Sequence, residues 1–203
     1  MNHDRWAALM HRLNLPLSPE TCDMLLTAHG EPGRHYHTVA HISHLLGLLD
    51  KHREHVPKPD LVELAFWFHD AVYDTRSKTN EVDSAEMAEA FLSVSKATET
   101  IRERVKNLIL ATRHSASDLK GAAAWMGDID LSILGAEPAR FDRYDQQIRQ
   151  EYAWVPQESF QNGRRELLAG FLARDWIYHT DEFRHSHEEK ARGNIRRSMN
   201  RLT

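Results

Sequence analysis

The chain has almost no thiol to work with: among 203 residues Cys22 is the only cysteine. That excludes an internal disulfide and any thiolate cluster of the zinc-finger kind, so a metal site would have to use His, Asp and Glu. No apolar run approaches the roughly 18 residues that span a bilayer, and the opening MNHDRWAALMHRL lacks the basic-then-apolar pattern of a secretory leader. Both absences predict a cytoplasmic protein with no membrane partner. There is no excess of one charge either, since the net value is −4 with both signs interleaved, so no global field would gather nucleic acid. Runs of alternating β-branched residues, internal repeats, low-complexity tracts and long linkers are missing as well.

Apolar residues instead recur every three or four positions, which predicts an all-α fold. The spacing predicts helices at 3–14, 19–30, 36–54, 60–73, 81–97, 99–114, 120–134, 138–152, 157–180 and 183–201. Breakers such as Leu17-Ser18-Pro19, Gly30-Glu31-Pro32-Gly33 and Pro57-Lys58-Pro59 separate them. The length suits one domain, 1–203, folded as an irregular helical bundle.

The compositional excess is histidine, with 14 residues. Segment 61–73, LVELAFWFHDAVY, is apolar around nearly its whole circumference, yet carries adjacent His69 and Asp70. A buried carboxylate costs several kcal/mol unless it is paired or bound to a cation. Either an arginine pairs with Asp70, or a metal does. Two further segments favour a metal. In Arg34-His35-Tyr36-His37-Thr38-Val39-Ala40-His41-Ile42-Ser43-His44, His37 and His41 stand one helical turn apart, and in Gly127-Asp128-Ile129-Asp130-Leu131 two carboxylates sit among aliphatic residues. Positions two apart diverge by about 200° on a helix, so one Asp can ligate while the other caps a helix or orients a histidine.

A His, then His-Asp, then a distant Asp resembles the HD superfamily of metal-dependent phosphohydrolases. The motifs Tyr36-His37-x-x-x-His41, Trp67-Phe68-His69-Asp70 and Asp128-x-Asp130 carry the resemblance over about 34–135, with 138–203 packing on that core. Phe68-His69-Asp70-Ala71-Val72-Tyr73-Asp74, followed by Asn80-Glu81 and Ser84-Ala85, is similar to a subgroup of uncharacterised bacterial HD proteins. The resemblance implies an HD-type helical bundle with His41, His69, Asp70 and Asp130 as metal ligands; whether His37 or Asp128 replaces His41 or Asp130 stays open. Such a mixed nitrogen and oxygen set suits Mn, Fe, Mg, Co, Ni or Zn. One ion per chain is expected, because His114 is the only histidine between Ala71 and Ile129 and the family's two-metal enzymes use two there.

Four further residues are candidates for catalysis. His37 matches the histidine that protonates the leaving oxygen in cyclic nucleotide phosphodiesterases, with a hydrogen-bonding role as the alternative. Asp74, read as lying on Asp70's helical face, and Glu81 could position water or merely shape a turn and a helix start; His114 is equally ambiguous. Arg34, Lys78 and Arg113 could hold phosphate oxygens. The remaining histidines, including His29, His52 and His179, read as surface residues, and Ala191-Arg192-Gly193-Asn194 as a structural clasp. The expected activity is hydrolysis of a nucleotide or other small phosphate ester. A metal-keeping nucleotide sensor is the alternative and a di-iron oxygenase a third reading. No specific nucleic-acid partner is expected, and a homodimer is left open.

Overall fold

A helix that is apolar on every side has to be surrounded, and that requirement organises this molecule. In α4 (Pro59–Phe68) every residue from Leu61 to Phe68 is buried. It packs against α1 (His3–Leu13), α3 (Val39–His52), α5 (Asn80–Val94), α6 (Glu99–Ala111) and α7 (Gly121–Asp130). The computed structural model describes residues 1–114 and 118–202; residue 203, the end of the predicted C-terminal part, lies outside them. Among the described residues there are ten α-helices and no strand, the others being α2 (Pro19–Ala28), α8 (Pro138–Glu151), α9 (Gln157–Leu172) and α10 (Asp181–Arg201). No helix is long and apolar enough to cross a membrane.

Local chemistry accounts for many of the helix ends. Asn2 and Thr180 accept backbone N–H bonds at the starts of α1 and α10, and α2, α4 and α8 each begin with a proline. After α7 the chain tightens into a 3-10 turn, Leu131–Gly135, which lies directly under α10. Gly135 makes that approach feasible: a Cβ there would lie 2.6 Å from the His187 Cβ and 2.8 Å from the His187 carbonyl. The predicted clasp is present. Asn194 donates to the carbonyls of Leu134 and Ala136, both at 2.8 Å.

Several predicted helices overrun, and at three of these ends a distant side chain binds the backbone groups beside the terminus. Helix α3 starts at Val39 rather than residue 36, since the N–H groups of His35, Tyr36 and His37 all donate to Glu151 Oε1 at 2.7–3.0 Å. Helix α4 stops at Phe68 rather than 73, where Arg34 binds the carbonyls of Asp70 at 2.5 Å and Ala71 at 3.0 Å. Helix α9 stops at Leu172 rather than 180, where Arg192 binds the carbonyls of Leu172, Arg174 and Asp175.

Candidate metal centre

The early stop of α4 creates the site. His69 is its C-cap, and Asp70 follows on non-helical backbone. His41 comes from the first turn of α3 and Asp130 from the last residue of α7. His41, His69 and Asp130 each place a ligand atom within 4.8 Å of the others, a geometry that could hold a metal ion. His41 Nε2 lies 3.4 Å and His69 Nε2 3.7 Å from Asp130 Oδ1. Asp70 stands beside this triad, its Oδ2 2.9 Å from His69 Nε2 and 3.7 Å from His41 Nε2.

Whether a cation fits can be judged from the protons. His69 Nδ1 lies 3.1 Å from the Phe66 carbonyl; a carbonyl only accepts, so Nδ1 carries the proton and Nε2 turns its lone pair toward the carboxylates. His69 Nε2 and His41 Nε2 are buried and make no hydrogen bond. Lone pairs aimed at carboxylates repel unless a proton or a metal ion lies between them. The titration behaviour expresses the same demand. Burial would depress His69 and raise Asp130, but the mutual attraction of His69 with Asp70 and Asp130 overrides it. His69 is pushed well above the usual histidine value, and Asp130, helped by His114, well below the carboxylate range. Among the described residues no lysine or arginine forms an ion pair with Asp70 or Asp130. The donor set therefore fits a divalent cation.

The open alternatives in each pair now separate. His37 is turned to Glu151, its Nδ1 donating to Oε2 at 2.8 Å. Asp128 is fully buried and spent on capping, accepting from the N–H and hydroxyl of Thr180, both at 2.7 Å, and from His179. Glu151 carried no signal in the sequence, because it lies 78 or more positions from its partners. Besides three backbone N–H groups it accepts from the Tyr73 hydroxyl at 2.9 Å. Burial would raise it, but His37 and those donors hold it down at about 2. In return Asp70 and Glu151 outweigh burial at His37 and raise its pKa.

His114 donates from Nε2 to Asp130 Oδ2 at 2.8 Å, in left-handed backbone just past α6. Glu81 lines the adjoining cavity in the first turn of α5, 4.0 Å from Arg113. Asp74 does not share a helical face with Asp70, because α4 has already ended; it accepts from the Arg76 N–H and its backbone is tied to Asn80. Arg34 is not a phosphate ligand, since its buried guanidinium is occupied with carbonyls. Nor are His29, His52 and His179 on the surface: the first two are buried, and the side chain of His179 is only 7% exposed.

A cavity of about 590 Å³ opens onto Asp70, Asp130, His37 and His114, within the range of small-molecule sites. Aromatic rings line it, Tyr144, Tyr152, Trp154 and Phe160 together with Tyr73 beside His37, and Lys78 adds positive charge. No family model, no curated protein and no solved structure matches this chain.

Proposed function

We propose that this protein is a metal-dependent phosphohydrolase of the HD type that acts on a small phosphate ester such as a nucleotide. One observation carries the reading: two partly buried carboxylates and two imidazole nitrogens without hydrogen bonds converge at the mouth of a cavity, and among the described residues no arginine or lysine pairs with the carboxylates. His41, His69, Asp70 and Asp130 would hold the cation, with His114 orienting Asp130 and Phe66 orienting His69. A divalent cation there supplies a Lewis acid for a phosphoryl oxygen and lowers the pKa of water.

The other tasks belong to the chain. His37, held by Glu151 through Nδ1, keeps Nε2 for the cavity it lines and gives its proton to the leaving oxygen. The Glu151 carboxylate beside Nδ1 favours the protonated ring. The aromatic wall gives a flat leaving group a surface to stack on, and Lys78 balances phosphate charge.

The test pairs elemental analysis of protein purified without added metal with phosphatase and phosphodiesterase assays on wild type and Asp70→Ala. About one equivalent of metal, and turnover that disappears with it in Asp70→Ala, is the expected result. Metal without turnover on a broad panel of phosphate esters would make the protein a binding module, and no metal under any loading condition would overturn the reading.

A further inference from the structure

His41 has a second side. Its Nε2 faces the carboxylates, but the ring also lines a separate cleft of about 180 Å³ between α3 and α8. On α8, Arg140, Arg143, Tyr144 and Gln147 fall at i, i+3, i+4 and i+7, one helical face, and all four line this cleft. The carboxylates of α8 are engaged elsewhere, Asp142 with Arg197 and Arg201, Asp145 with Arg164 and Ser198, and Glu151 with His37. No carboxylate lines the cleft, and neither Arg140 nor Arg143 forms an ion pair among the described residues. In a protein of net charge −4, this is a small, purely cationic recess.

Its floor shows what is missing. A metal-binding histidine ordinarily donates its second ring N–H to a carboxylate, a carbonyl or water. His69 does so, to Phe66. His41 Nδ1 has no partner, although the side chain is only 2% exposed. We propose that this cleft binds a small oxyanion of the phosphate type, held by Arg140 and Arg143 against the ring of His41. The volume points to the class: at about 180 Å³ it falls below the roughly 300–1,000 Å³ of sites for drug-sized ligands, so it suits one phosphate-sized group. Tyr144 walls it from the larger cavity, since it lines both.

The arginine pair and the cleft stand without the metal reading; the argument from His41 Nδ1 rests on it. Inorganic phosphate is titrated calorimetrically into the full chain, into Asp70→Ala, and into Arg140→Gln/Arg143→Gln. Saturable binding is expected in wild type and in Asp70→Ala. The double arginine variant should bind at least about tenfold more weakly with an unchanged circular dichroism melt, and Arg140→Lys/Arg143→Lys should recover part of the loss because it keeps the charge. The ¹⁵N signal of His41 Nδ1 should shift as phosphate is added. Absence of saturable binding in wild type, equal binding by the arginine-to-glutamine variant, or loss confined to Asp70→Ala, which would put the phosphate on the metal centre, would each overturn the proposal.

Discussion

Helix α4 has carboxylates near both of its ends and treats them in opposite ways. Near its start, Glu63 is 1% exposed and is surrounded by arginines: Arg5 at 2.7 Å, Arg12 at 2.7 Å and Arg53 at 3.0 Å. Just past its end, Asp70 and the neighbouring Asp130 have only histidines for company. An arginine never gives up its charge, so the first cluster is closed and structural. A histidine binds either a proton or a metal, so the second is open to exchange. The identity of the neighbouring cations, more than the burial of an acid, separates a brace from a site.

The largest contrast should come from Asp70→Ala. We expect it to abolish metal retention and lower turnover by about a thousandfold or more, while the chelated protein melts close to wild type, because one of two repelling carboxylates has gone. A large loss of stability in chelated protein would mean that Asp70 is a brace like Glu63. The reverse pattern is predicted for Glu63→Ala. It should cost about 3 kcal/mol in denaturant titration, the low end for breaking a buried ion pair because the arginines are partly exposed, and should leave metal content unchanged.

Acid should act on the open end. Burial beneath Trp67 pushes His29 down to about 4. Between that value and the ordinary 6.5 the unfolded chain binds the extra proton, so stability falls as pH drops from 6.5 to 4, by at most about 3 kcal/mol. A His29→Gln variant should flatten that limb in melts recorded across the interval. Glu151, depressed to about 2, contributes stability that is present above the ordinary glutamate value of 4.5 and lost as pH falls from there toward 2, so the two limbs overlap only between about 4 and 4.5. Glu151→Gln should reduce kcat by about tenfold or more and shift the alkaline limb of the pH–rate profile to lower pH, because His37 loses its carboxylate. The smallest effect is expected for Arg53→Gln, below about 1 kcal/mol, since that side chain is 30% exposed and Arg5 and Arg12 remain on Glu63.

The helical class and the set of chemically active residues were legible because both are local properties. Apolar spacing identifies helices, and His69-Asp70 in an apolar segment is conspicuous wherever it lies. Choices within a pair were not legible. His41 and His37 share a helical spacing, and only Glu151, from the end of α8, pulls His37 aside. Asp128 and Asp130 differ because the start of α10 lies over Asp128. Asp74 was misplaced because the stop of α4 depends on Arg34, which precedes it by more than 30 positions.

What the amino-acid order determined by itself was the periodic burial that makes ten helices, the absence of thiolate chemistry, and a supply of His and Asp in apolar surroundings. Only the tertiary structure decided where α3, α4 and α9 begin or end, which carboxylates are neutralised by arginine, and which histidine nitrogens are left without partners. The reason is physical: a helix's periodicity is written every few residues, whereas its termini and the charges around it are satisfied by side chains whose distance along the chain says nothing about their distance in space.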